Sequence, residues 1–233
     1  SQWDVEPGVR IPHGSDSDID SEVGEPAAYR GLDDKYYMAY TGRFMGINPE
    51  GKDEKMHRVV FAISDDALTW SKLNQHYADP QNRNNFASSS DVNIIDSEYV
   101  IYYTGGAFVI RATSHDGLTW ERQNIIFWGH DSTTIKYDDT WYMFARMPKQ
   151  LRYSKNWTLA DERLVMAISQ DGVNWSNNYY QVDIENSDGS GVAVEDSKNP
   201  AAVLLPDGSL RIFLQTRHGE RIYSIKPAET LPK

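Results

Sequence analysis

The stretch Ser-His-Asp-Gly-Leu-Thr-Trp at residues 114–120 occurs three times in this chain, in slightly varied form. It returns as Ser-Asp-Asp-Ala-Leu-Thr-Trp at 64–70 and as Ser-Gln-Asp-Gly-Val-Asn-Trp at 169–175. In every copy Ser stands six residues before Trp, and Asp stands four residues before it. A fixed spacing that returns about every 50 residues is typical of a repeat architecture.

Each copy follows a short apolar run, and the pattern predicts a strand, a tight turn and a second strand that begins at Trp. The Asp carboxylate is expected to accept hydrogen bonds from turn amides, and the Ser hydroxyl to do so more weakly. The Trp ring is expected to fill a groove between neighbouring units. The repeat therefore predicts several similar β-units packed face to face.

Composition limits the classes of partner. The chain has 233 residues, no cysteine and a formal net charge of −11, which fits one large all-β domain spanning 1–233. The acidic balance argues against nucleic acid and anionic membranes as partners, and the missing cysteines exclude disulfides and thiolate metal sites. We expect a secreted or periplasmic bacterial protein, with a cytoplasmic location left open and the oligomeric state undetermined.

Aligning the chain on the repeat yields four units of about four strands, which favours a β-propeller over a β-sandwich. The polar stretch 42–57 is interpreted as a loop insertion, 175–182 as an outer strand, and Asp16, Asp18 and Asp20 as a solvated face. The fourth unit lacks a fourth strand. We expect the N-terminal segment around Trp3 to supply it and so close the ring.

Acidic residues stand near the start of the first strand of each unit, namely Glu25, Asp91, Asp131 and the pair Glu195-Asp196. First strands line the channel of a propeller, so these acids could share one cavity. Cleavage of a glycosidic bond needs two such carboxylates, one as general acid and one as base or nucleophile. Each acid could instead be a loop carboxylate or a turn cap.

The sequence resembles the five-bladed β-propeller glycosidases of glycoside hydrolase family 43 and their invertase-like relatives. The resemblance is carried by Glu25-Pro26 followed by Asp-Asp-Lys-Tyr-Tyr-Met-Ala-Tyr-Thr at 33–41, by Ser-Ser-Asp at 89–91 and by His-Asp-Ser at 130–132. It implies that Glu25 is the base, that Asp91 binds sugar, that Asp131 tunes the pKa of the acid, and that Glu195 is that acid.

The chain also departs from the family pattern. The family has Asp where Glu25 stands, and a fifth blade is not visible in the sequence. The segment from Glu195 to Pro200 is longer than the family spacing. Aligning the units on their second strands sets Glu25 opposite Ser88 and His130, so the acids are not expected to share one register.

Further residues are expected to bind substrate: Tyr40, His130, Arg146 and Arg217. For the arginines, surface or inter-unit salt bridges are the alternative. No cofactor is expected. A structural Ca²⁺ or Na⁺ in the channel is left as an alternative. The sequence predicts a glycoside hydrolase acting on a furanose- or xylose-type oligosaccharide or polysaccharide. The alternative is a non-catalytic propeller that binds carbohydrate or protein.

Overall fold

The computed structural model describes residues 7–148, 162–184, 188, 190–191, 197–216 and 222–225. The described residues form fifteen strands and one short 3-10 turn at Arg83–Asn85. The first sheet contains β1 (Glu22–Arg30), β2 (Tyr36–Ile47), β3 (Asp53–Ser64) and β4 (Ser71–Tyr77). The second contains β5 (Ser88–Ile95), β6 (Glu98–Gly105), β7 (Phe108–Ser114) and β8 (Glu121–Trp128). The third contains β9 (His130–Tyr137), β10 (Thr140–Pro148), β11 (Glu162–Ser169) and β12 (Tyr180–Gln181), and the fourth β13 (Ser197–Leu204), β14 (Leu210–Thr216) and β15 (Ile222–Ile225).

Every sheet is antiparallel and its strands are ordered as in the chain. The first strands β1, β5, β9 and β13 contact one another in succession. The all-β fold of repeated four-stranded antiparallel sheets is therefore confirmed as a β-propeller architecture. The segment around Trp3, expected to close the ring, lies outside the described residues, and within those residues the fourth sheet has three strands.

The core consists of layers between successive sheets. Phe61 of the first sheet packs with Ile101 and Ile110 of the second. Val109 of the second packs with Met143 and Val165 of the third. Alternate residues of each strand face opposite neighbours, so both faces of the second and third sheets are apolar.

The repeated turn has the structure that its sequence predicts. Asp116 Oδ1 accepts hydrogen bonds from the amides of Leu118 and Thr119 at 2.8 and 2.7 Å. Ser114 Oγ accepts from the Gly117 amide at 2.9 Å. The copies at 64–70 and 169–175 repeat the two bonds to Asp. These bonds to a charged acceptor hold the pKa of Asp116 down at about 2.

The Trp of the turn packs between sheets, as expected. Trp120 stacks on Phe61 of the preceding sheet, with ring centroids 6.0 Å apart and an interplanar angle of 11°. Trp175 meets Tyr102 edge to face at 5.7 Å, and its indole N–H donates to the Tyr102 hydroxyl. The second and third copies thus anchor their sheets on the sheet before them.

The interpretation of 42–57 as a loop insertion is wrong. Strands β2 and β3 continue through it as one long hairpin, paired from Tyr36–Ser64 to Ile47–Asp53. Its tip is closed by Asn48, whose Oδ1 accepts from the amides of Glu50 and Lys52. Polar residues cluster toward the tip because the hairpin extends past the layered core.

Two further expectations are corrected. Within 175–182 only Tyr180–Gln181 is strand. The Ser176 amide donates a hydrogen bond to the Ile168 carbonyl, and the backbone then stops pairing with β11 until Tyr180. Asp20 is buried rather than solvated. It accepts a hydrogen bond from the Tyr40 hydroxyl at 3.0 Å and pairs with Lys72 Nζ at 2.6 Å.

Candidate functional site

All four first strands carry a β-bulge at the same place. In each, two residues oppose one residue of the second strand, between ladder pairs such as Gly24–Thr41 and Ala27–Ala39. The bulged pairs are Glu25-Pro26, Ser89-Ser90, Asp131-Ser132 and Asn199-Pro200.

The bulge brings the acids into register. Glu25, Asp131 and Asn199 are each the first residue of their bulge, and all have positive φ, at 53°, 52° and 49°. This conformation is costly for residues other than Gly and persists where surrounding structure holds it, often at functional sites. The bulge turns these side chains away from the regular alternation of the strand.

The expected mismatch of register is therefore wrong for Glu25 and Asp131. Five residues separate Arg30 from its partner Tyr36, whereas four separate Ile94 from its partner Tyr99. The turn of the first sheet thus has one extra residue. An alignment made on the second strands therefore places Glu25 one residue away from its true equivalents in the other sheets. Asp91 follows its bulge, so it is equivalent to Ala27 and not to Glu25.

Glu25 lies in an ion pair with Arg43 of β2, at 2.5 Å between Oε1 and Nη2. Each side chain is 21% exposed. A Cβ on Gly24 would come within 2.8 Å of Arg43 Nη1, so the missing side chain makes room for the guanidinium. Glu25 Oε2 is buried and has no hydrogen-bond partner among the described residues. Arg43 thus orients one carboxylate oxygen, and the buried second oxygen bonds to no described residue.

His57 completes this group. It pairs across the hairpin with Arg43 and stacks on Phe86, with ring centroids 4.6 Å apart. Burial, followed by the charge of Arg43, lowers the pKa of His57, which favours the neutral imidazole. Its Nδ1 is buried and makes no hydrogen bond within the part of the chain that is described.

Asp131 is held on the side of the third sheet. Its amide donates to Thr104 Oγ1 of the second sheet at 3.0 Å. Its Oδ2 lies 3.0 Å from His130 Nδ1, with side-chain exposures of 17% and 15%. Arg146 pairs in register with His130 and is only 1% exposed. The structure therefore brings three of the expected site residues together: Asp131, His130 and Arg146.

Asp91 connects two sheets. Its Oδ2 accepts hydrogen bonds from the Thr134 amide at 2.7 Å and from the Thr134 hydroxyl, both in β9. Asn93 Nδ2 donates to the same oxygen at 3.3 Å. Burial nevertheless raises the pKa of Asp91 to about 6. This carboxyl group is placed to link β5 with β9, next to the bulge.

Tyr40 stands opposite the Glu25 bulge but points to the other layer, where its hydroxyl reaches Asp20. Tyr103 stands at the same place in the second sheet, and its hydroxyl donates to Asp79 at 2.7 Å. Arg122 Nε pairs with Asp79 at 3.0 Å. Tyrosine, buried acid and base thus recur as a structural unit that anchors the segments before β1 and β5.

Glu195 and Arg217 lie outside the described residues. Arg43 and His57 were not predicted from the sequence, because the stretch 42–57 was interpreted as a loop. The signal that could have found them is the apolar run Phe44-Met45-Gly46-Ile47, which continues the strand past Arg43. In the described part of the chain, no three acidic or histidine side chains converge as metal ligands. No helix there is long and apolar enough to cross a bilayer.

Several solved structures that resemble this fold are glycoside hydrolases. A family 43 enzyme from Xanthomonas citri, complexed with xylotriose, is 12% identical with a TM-score of 0.66, over 89% of this chain and 70% of that one. A family 117 glycoside hydrolase from Zobellia galactanivorans is 14% identical with a TM-score of 0.62, over 93% and 70%. A glycosyl hydrolase from Bacteroides ovatus is 15% identical with a TM-score of 0.56, over 83% and 60%. The resemblance to propeller glycosidases is confirmed at the level of the fold.

The chain spans only 60% to 62% of the length of three further solved structures that it matches. No family model matches the sequence, and no curated protein does.

Proposed function

We propose that this protein is a glycoside hydrolase that cleaves a furanose- or xylose-type carbohydrate with carboxylates presented by the first strands of its sheets. The observation that carries the proposal is the repeated bulge, which gives Glu25 and Asp131 the same backbone position in two different sheets. The shared fold with glycoside hydrolases supports carbohydrate as the substrate class.

In this proposal Glu25 is the base or nucleophile. Arg43 contacts Oε1 and orients the carboxylate, and Oε2, which bonds to no described residue, would act on the water or the sugar carbon once substrate binding exposes it. Asp131, beside His130, would adjust the pKa of the proton donor through its charge. Glu195 is proposed as that donor on the family resemblance, and Arg217 as a substrate contact.

The test is hydrolysis of aryl α-L-arabinofuranosides and aryl β-D-xylosides, measured by the release of the phenol. The proposal predicts turnover that Glu25→Gln and Glu195→Gln each abolish while the thermal unfolding transition stays cooperative. Absence of turnover on both substrates, or unchanged turnover in either variant, would refute the assignment concerned.

The alternative is a propeller that binds carbohydrate without cleaving it. The short Glu25–Arg43 ion pair favours it, because the carboxylate oxygen that contacts the guanidinium is not free to contact water or a sugar carbon. This function predicts saturable binding of xylotriose with no reducing sugar released during long incubation. Release of reducing sugar that is lost in Glu25→Gln would contradict this alternative and support the hydrolase.

A further inference from the structure

A cleft lies between the tip of the β2–β3 hairpin and the segment that leads to β5. Its volume is about 450 Å³, within the range of small-molecule sites. Glu25 is not part of its wall. The residues used below line it: Pro49, Arg58, Pro80, Arg83 and Asn84.

Arg58 is fixed in the wall through one of its nitrogens. Its Nη1 donates to the carbonyls of His57, Asn84 and Asn85 at 2.6, 3.0 and 3.1 Å. Its guanidinium carbon lies 5.6 Å from the centre of the Phe44 ring. Nε and Nη2 make no hydrogen bond within the described ranges. One edge of the guanidinium is therefore anchored, and the opposite edge can take a ligand.

Arg58 differs from its neighbour Arg83 in its charge partners. Arg83 pairs with Glu50 at 2.9 Å and with Glu54 at 3.4 Å. Among the described residues no carboxylate pairs with Arg58, although it is half-buried and burial lowers its pKa. A partly desolvated guanidinium whose partners are all neutral is best satisfied by a carboxylate that binds through two oxygens.

Asn84 supplies the complementary acceptor. Its Oδ1 is buried and lacks a hydrogen-bond partner in the described part of the molecule. Its backbone is left-handed, with φ at 57°, and so is that of Asn85, with φ at 53°. An amide oxygen and an unpaired guanidinium edge, both on residues that line this cleft, suit a ligand that carries a hydroxyl and a carboxylate. The rings of Pro49 and Pro80 offer apolar surface to C–H groups.

We propose that this cleft binds a sugar acid, a saccharide unit that carries a carboxylate, separately from the Glu25 site. The carboxylate would pair with Nε and Nη2 of Arg58, and a ring hydroxyl would donate to Asn84 Oδ1. The choice of a sugar as the body of the ligand rests on the proposed function. The carboxylate requirement rests on Arg58 alone.

Isothermal titration calorimetry with sodium D-glucuronate tests this proposal, with D-xylose and acetate as comparison ligands. Glucuronate should bind at least about tenfold more tightly than either, since it alone uses both groups. Arg58→Lys keeps the charge but loses the planar fork and should weaken glucuronate binding by about tenfold or more. Asn84→Gly keeps the left-handed backbone and should weaken it less. Arg30→Lys, in an exposed pair with Asp34, should leave it unchanged.

Four results would overturn the proposal. These are no heat from glucuronate, equal binding of xylose, equal binding of acetate, or glucuronate binding that Glu25→Gln abolishes. A urea unfolding curve of each variant excludes a folding defect, and Asn84→Gly keeps the test decisive if Arg58→Lys does not fold. The assay on aryl glycosides is independent of this result, so failure of the sugar-acid site and failure of the hydrolase are distinguished.

Discussion

Glu25 and Asp131 occupy the same position in the first strands of the first and third sheets. Each is the first residue of a bulge and has a φ near +52°, at 53° and 52°. Each also lies within hydrogen-bonding distance of a basic side chain: Glu25 is 2.5 Å from Arg43, and Asp131 is 3.0 Å from His130. The same β-bulge is therefore repeated in two sheets, and the two carboxylates that it presents differ in their basic partner.

Substitution of Glu25 by Gln should lower kcat/KM on an aryl glycoside by about 100-fold or more, because a positioned general base contributes at least that much. The amide retains the shape of the side chain and a contact to Arg43, so the fold should persist. Steady-state kinetics and thermal unfolding measure the two effects. Glu121→Gln, at an exposed position on β8, is the matched control. Equal activity in both variants would contradict a catalytic role for Glu25.

Substitution of Asp131 by Asn should move the alkaline limb of the kcat/KM profile to lower pH. A nearby negative charge raises the pKa of a proton donor, so its removal lowers that pKa and deprotonates the donor earlier. Asp139→Asn controls for charge alone, since the Asp139 side chain is fully exposed. A loss of activity with an unmoved alkaline limb would show that Asp131 acts by another route.

Asp91 should make stability depend on pH. Burial raises its pKa to about 6 in the folded protein, so the folded state holds this proton more tightly than the unfolded chain. The resulting stability is present at pH 4 and is lost as pH rises through 6. Relative to wild type, Asp91→Asn should therefore gain about 2–3 kcal/mol between pH 4 and pH 7. Urea unfolding at both pH values measures the change, and a pH-independent difference would contradict it.

The sheets could be predicted from the sequence because the turn at 114–120 carries its own hydrogen-bonding groups and recurs intact. The shared register of the acids could not, because it depends on a bulge and on one extra residue in the turn after Arg30. The burial of Asp20 also escaped prediction, since it requires Tyr40 and Lys72 from distant strands. Local patterns can be predicted from a single sequence, whereas charged side chains that meet from distant strands cannot.

The two buried acids beneath Tyr40 and Tyr103 should respond unequally to loss of their bases. Asp79 has a side-chain exposure of 0% and pairs with Arg122, whereas Asp20 is 9% exposed and pairs with the more accessible Lys72. Arg122→Met should cost about 3–5 kcal/mol, since it leaves a buried charge unpaired. Lys72→Met should cost less, because water can approach Asp20. Urea unfolding of the two variants provides the comparison, and equal costs would refute the role of burial.

The first copy of the repeated turn carries Ala67 where the others carry Gly117 and Gly172. Ala67 is exposed and has a φ of 58°, close to the 73° and 72° of the two glycines. A left-handed backbone costs a residue with a Cβ about 1–2 kcal/mol, and the extra freedom of glycine in the unfolded chain offsets part of that. Ala67→Gly should therefore stabilise the protein by about 0.5–1 kcal/mol. The reverse change Gly117→Ala should destabilise it by more, since its Cβ would meet the Tyr99 ring at 3.3 Å. Thermal or urea unfolding measures both, and a loss of stability in Ala67→Gly would show that the turn does not strain this residue.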